Sequence, residues 1–140
     1  LLLGSCVEPI GPEHSLEEIV EKALITREMQ ARFSGAMRRT PIPTSELAAH
    51  GALSYARMAT IVAAVALITG RAIPGNCTHE PNQLAAFNGA NLLWAEVGSN
   101  PRDTEGKTEG NRGWTVARCR DLLEECGWDV LEGPSALFSE

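Results

Sequence analysis

The stretch Ser5-Cys6-Val7-Glu8-Pro9-Ile10-Gly11-Pro12-Glu13-His14-Ser15-Leu16-Glu17-Glu18-Ile19-Val20 sets the architecture. Leu1 to Ile10 is an apolar run interrupted by Glu8 and stopped by Gly11-Pro12, so it reads as a buried strand entering a polar loop. Ser15 with Glu18 three residues on forms a capping box, the reciprocal pairing that opens a helix. Leu16, Ile19, Val20, Ala23 and Leu24 then recur at helical spacing, which predicts a helix to about Gln30. Strand, polar loop and capped helix in that order make one βα unit.

The same unit recurs downstream. Phe33 to Met37 reads as a second short strand, followed by Arg38, Arg39 and a Pro41-Ile42-Pro43-Thr44 loop whose alternate prolines exclude helix. A long helical region is expected over Ser45 to Thr69, broken near its start by Gly51 and stopped by Gly70. Ala72-Ile73 opens a third strand that runs into Pro74-Gly75-Asn76-Cys77-Thr78-His79-Glu80-Pro81, and Asn82 to Phe87 is a short helix. Leu92 to Val97 is a fourth strand and 98–113 a polar loop. Thr115 caps a last helix over Val116 to Cys126, and Asp129 to Leu131 is a further strand-like piece. Short apolar strands alternating with helices predict a parallel sheet covered by helices, in one continuous unit over 1–140.

Composition narrows the function classes. The chain has 140 residues, 44% of them hydrophobic, and a formal charge of −6 without a Lys/Arg block. That balance argues against nucleic acid and anionic membrane, which need a basic stripe. The longest apolar run, Ile61 to Ile68, is less than half of what a bilayer span requires. The four cysteines, Cys6, Cys77, Cys119 and Cys126, form no CxxC or CxxxCxxC, so neither a zinc ribbon nor an iron–sulfur loop is encoded. Their scatter favours a reducing, cytoplasmic setting. Leu3-Gly4-Ser5-Cys6 lacks the charged n-region of a lipoprotein signal, and the sequon Asn76-Cys77-Thr78 is a short pattern that arises often by chance.

Chemistry-bearing residues gather at the carboxyl ends of the expected strands: Glu8 with Glu13-His14, Arg38-Arg39, Asn76 to Glu80, then Glu96 with Ser99-Asn100, Trp94 sharing one face of the last strand with Glu96. In parallel α/β folds that is the ligand-binding end. Strand alternation puts Arg38 and Arg39 on opposite faces, so one of them points inward and needs an anion, for which a ligand carboxylate fits. His79 is suited to proton transfer or metal ligation, or to a plain bond with a neighbouring carbonyl. Glu8 and Trp94 each have a simpler alternative, a solvated strand end and a core indole. No Ser–His–Asp spacing and no phosphate-cradling glycine loop is present.

Three segments resemble a known family. Gly4-Ser5-Cys6-Val7-Glu8-Pro9-Ile10-Gly11-Pro12-Glu13 is similar to the GxIxGxxE strand of radical S-adenosylmethionine (SAM) enzymes, with an extra residue or two in the turn. Arg39-Thr40-Pro41-Ile42-Pro43-Thr44 resembles the next strand end in biotin synthase-like enzymes. Asn88-Gly89-Ala90-Asn91-Leu92-Leu93-Trp94 resembles their AGAN helix-to-strand junction. The nearest likeness is to biotin synthase-like enzymes that build hydrogenase metal cofactors. Asn76 to Pro81 departs from the biotin synthase pattern, and 98–113 lacks its threonine-rich stretch.

The resemblance implies a (β/α) TIM-type barrel, of which this chain is the C-terminal half. It also implies a 4Fe-4S cluster held by a CxxxCxxC loop outside the chain, with which the absence of an initial Met agrees. The reduced cluster cleaves SAM to a 5′-deoxyadenosyl radical that abstracts a substrate hydrogen, in cofactor biosynthesis. By position, Cys6, Val7, Glu8, Arg38, Arg39 and Thr40 would lie near SAM. Asn76, Cys77, His79, Glu80, Trp94 and Glu96 would face a small-molecule substrate. A ferredoxin or flavodoxin would supply the electron. Alternatives are half of a cluster-free barrel aldolase or hydrolase with Glu8 or His79 as acid/base, and a non-catalytic small-ligand domain. On the barrel reading, the half alone is expected to be inactive and prone to associate through its open edges.

Overall fold

The computed structural model describes residues 5–78, 82–95 and 114–134, with the backbone alone at 5–8. Four strands, β1 (Ser5–Ile10), β2 (Phe33–Arg38), β3 (Gly75–Thr78) and β4 (Leu92–Leu93), form one sheet in the order β1-β2-β3-β4. Every pairing is parallel. The intervening helices are α1 (Leu16–Glu28), α2 (Tyr55–Thr69) and α3 (Gln83–Phe87), and α4 (Val116–Glu125) follows β4. Strands in chain order with right-handed crossovers put their helices on one face. The core agrees: Ile10 and Ala36 of the sheet meet Ile19 and Ala23 of α1, Met58, Ile61, Val62 and Val65 of α2, and Ala85 of α3. The α/β alternation read from the sequence is thus present as a four-stranded parallel sheet.

Each of these four α-helices begins on a side chain that satisfies one of its free N–H groups. Ser15 Oγ accepts from Glu18 N (3.1 Å) while Glu18 Oε2 accepts from Ser15 N (2.7 Å), completing the capping box. Ser54 caps α2 through Arg57 N, Asn82 caps α3 through Leu84 N, and Thr115 caps α4 through Arg118 N. Such caps contribute about 1 kcal/mol each. The expected helix over Ser45 to Thr69 divides in two: a 3-10 turn at Glu46–His50 ends at Gly51, and α2 starts at Tyr55. Ser54, rather than Ser45, is the cap with a side-chain bond.

Helix α2 holds the layer together. With the turn that follows, Tyr55–Ala72 has a mean hydropathy of 1.2 and is long and apolar enough to cross a membrane by length and composition. Here it packs on α1, α3, β2 and β3. Met58, Ile61, Val62 and Val65 are buried, and burying such side chains is worth roughly 1.5–3 kcal/mol each. Its outer side keeps Leu67 exposed, at 84%.

The third strand departs from expectation. Ala72 lies in a 3-10 turn (Gly70–Ala72) and Ile73 in the link, so the strand itself is Gly75-Asn76-Cys77-Thr78, buried at all four positions. Asp129 to Leu131 forms no strand in the structure, and the fourth strand is assigned at Leu92–Leu93 alone. Val97 and the polar loop 98–113 lie outside the described residues.

Gly35 decides how β2 meets β3. A Cβ there would overlap the Cys77 carbonyl oxygen and lie 2.8 Å from Cys77 N. Cys77 is also the register partner of Gly35, so any side chain pries the two strands apart. Gly35→Ala is expected to cost about 3 kcal/mol, the upper end of ordinary overpacking. Urea unfolding followed by circular dichroism checks this, and a variant with an unchanged midpoint would remove the argument.

Candidate functional site at the strand ends

The carboxyl ends of β1 and β2 are joined by an ion pair. Arg39 follows β2 directly, and its N–H donates to Ile10 O (2.9 Å). Its guanidinium grips Glu13, in the loop after β1, as a two-pronged fork: Nη1 bonds Oε1, and Nη2 bonds Oε2 at 2.9 Å. Nη2 also donates to Leu47 O (3.3 Å), which brings in the 3-10 turn. Gly11 permits this, because a Cβ there would overlap Arg39 Nη2 and Glu13 Oε2. The inward arginine expected from strand alternation therefore has an anion, and it is the chain's own Glu13.

Arg38 turns to the helix face. It donates to Leu53 O (3.3 Å) and Tyr55 Oη (3.2 Å), and lies 4.3 Å from the Tyr55 ring centroid in a cation–π contact. Asn82 joins the same network: buried itself, it donates to Tyr55 O (3.1 Å) while capping α3. Tyr55 and Asn82 escape the sequence reading, and Asn82 shows there only as a helix start. Thr40 is half-buried beside Arg39.

The expected substrate-facing residues divide. Asn76 sits one register step before Gly35–Cys77 and points under α2, donating to Val62 O (3.2 Å) and Gly89 O (3.1 Å). It is buried and bonded to the fold, away from the strand ends. Cys77 lies on the opposite face and meets Trp94, so these two are brought together. Burial pushes the Cys77 thiol up to about 12, against a smaller opposing effect of the Trp94 hydrogen bond. His79, Glu80 and Glu96 lie outside the described residues. The backbone of Cys6, Val7 and Glu8 lies in β1, in register with Ser34, Gly35 and Ala36.

Among the described residues no group of three His, Cys, Asp or Glu side chains could hold a metal ion. Comparison with family models, with curated proteins and with solved structures finds no match.

The Arg39 fork holds the Glu13 carboxyl down at about 2, from an ordinary 4.5. A depressed carboxyl stabilises the fold fully above about pH 4.5, and that stabilisation is lost as pH falls towards 2. Glu13→Gln should lower stability at neutral pH and converge with the unaltered protein near pH 2, as read from thermal melts across that range. Thiol labelling is a second check. Cys126, half-buried at the C-terminal cap of α4, should react with iodoacetamide before Cys77, which should label only once the protein is unfolded. Peptide mass spectrometry gives the order.

Proposed function

We propose that this chain is the SAM- and substrate-binding, C-terminal portion of a radical SAM enzyme of the biotin synthase-like group, acting in cofactor biosynthesis. One observation carries the reading. The three resembling segments fall on consecutive βα units of one parallel sheet: Ile10-Gly11-Pro12-Glu13 at the end of β1, Arg39 to Thr44 at the end of β2, and Asn88 to Trp94 at the α3–β4 junction. Two are strand ends, where loops of a (β/α) barrel converge on a ligand. β1 and β4 each have one neighbour among the described residues, and the further strands of a barrel would pair with both.

In this reading the 4Fe-4S cluster is held by a CxxxCxxC loop outside the chain, and cluster and SAM together supply the radical chemistry. The chain's own residues bind and orient. Arg39 and Glu13 lock the loop after β1 onto the end of β2, which fixes the edge of the SAM pocket. Arg38, engaged with Leu53 and Tyr55, braces the start of α2 against the end of β2. Trp94, hydrogen-bonded to Cys77, offers an apolar wall without a reactive thiolate. Arg39 is a positioning residue here, since its guanidinium acts through Glu13.

The test uses the protein from its complete gene, purified and reconstituted with iron and sulfide without oxygen. Reduction by flavodoxin or dithionite should release 5′-deoxyadenosine and methionine from SAM. Arg39→Ala should keep the iron content and slow that release by about 10²-fold, the usual effect of misplacing a bound reactant by about an ångström. Iron-replete protein that leaves SAM intact would sink the proposal.

A further inference from the structure

We propose that an ordered water molecule is built into the helix–sheet layer between β2 and β3, bridging Ser34 Oγ and Asn76 Oδ1. Both residues are buried, at 0% and 4% exposure, and they are register partners on adjacent strands. Partners in a parallel pair project from the same face, so both side chains enter the layer beneath α2. Neither Ser34 Oγ nor Asn76 Oδ1 has a hydrogen-bond partner within the protein.

The Asn76 amide cannot turn to relieve this. Its Nδ2 spends one hydrogen on Val62 O and the other on Gly89 O. Reversing the amide would press its oxygen against two carbonyl oxygens. Oδ1 is thereby left as an acceptor in need of a donor, and a buried acceptor without one costs about 1–3 kcal/mol. Ser34 is its register partner across the sheet, on a strand about 4.8 Å away. The two oxygens are not hydrogen-bonded to each other, and side chains leaving register partners on one face are spaced as a single bridging water requires.

The chemistry of the occupant follows from the two ends. Both are neutral dipoles, so an ion would enter the layer without a counter-charge. The occupant must donate to Oδ1 and exchange a hydrogen bond with a hydroxyl, and it must fit beside the fully buried Ala36 and Val62. Water is the smallest molecule that does so. The bridge ties β2 to β3 one residue before the Gly35–Cys77 approach, where no side chain can help.

A crystal structure of the protein from its complete gene, with a Ser34→Ala counterpart, tests this. The expected result is an ordered water within hydrogen-bonding distance of Ser34 Oγ and Asn76 Oδ1, absent from Ser34→Ala. The melting temperature of that variant should fall by about 3–5 °C. A Ser34 hydroxyl bonded directly to Asn76 Oδ1 would overturn the proposal. A dry layer, or a water that stays in place in Ser34→Ala, would overturn it equally. Water-to-amide nuclear Overhauser contacts at Ser34 and Asn76 provide a second readout in solution.

Discussion

The structure depends on how closely β3 runs beside β2 where Gly35 faces Cys77. A strand of Gly, Asn, Cys and Thr has no large apolar side chain with which to anchor itself. Its position comes from its surroundings. Asn91 brackets its start, accepting from Asn76 N (2.7 Å), donating through Nδ2 to Pro74 O (2.9 Å) and through its own N–H to Asn76 O (2.9 Å). Asn76 in turn ties the strand to α2 and to the end of α3. These are directional bonds in a buried layer, where an unmade bond is expensive, so they fix register more sharply than apolar contact does. β4 inherits that register, because Asn91 is the residue immediately before it.

The alternation of strands and helices was legible because it is written in local terms. The capping box at Ser15, Thr115 before α4, and the apolar spacing of α1 are all decided within a few residues. β3 was misplaced for the opposite reason. Hydropathy draws a strand towards Ala72-Ile73, whereas the ladder forms over the polar residues that follow, because α2 and the two asparagines satisfy them there. Ser45 and Ser54 look alike as helix starts. The choice between them falls to Gly51, which has φ +68° and ends the 3-10 turn before α2 can begin. Part of the candidate site was legible too: alternation does separate Arg38 from Arg39. What could not be read was the partner, because Glu13 and Leu47 reach Arg39 only through the folded chain.

That partner changes the electrostatics of the strand ends. Two adjacent arginines in a chain of charge −6 suggest a cationic spot for a ligand. In the fold one is neutralised by a carboxylate held in place by its own loop, and the other lies across a tyrosine ring. A ligand anion arriving here competes with an intramolecular carboxylate whose effective concentration is high. The pair is therefore better suited to holding the β1 loop than to capturing charge. Recognition at this end would fall to backbone groups and to neutral side chains such as Thr40 and Trp94.

The outer surface and the edges of the sheet bear on the same question. Leu67 of α2 is 84% exposed and Phe87 of α3 is 76% exposed, on helices whose other sides fill the core. Scattered apolar side chains of this kind are ordinary on a protein surface. Open ladders are less ordinary, since natural sheets cover, shorten or charge their edges. β1 is six residues long, with Val7 and Ile10 in it, and neither lysine nor arginine. Pro9 removes one donor from that edge but leaves the rest of the ladder able to pair. β4, at two residues, is protected by shortness. The two edges thus differ in kind: β4 is short, while β1 carries Glu8 and Pro9, a charge and a missing donor of the sort that blunts natural edges. Ile10, the apolar residue at the end of β1, already lies in the core at 4% exposure, so what β1 leaves open among the described residues is a ladder of backbone groups rather than an uncovered apolar face, beside the loop that Arg39 and Glu13 hold in position.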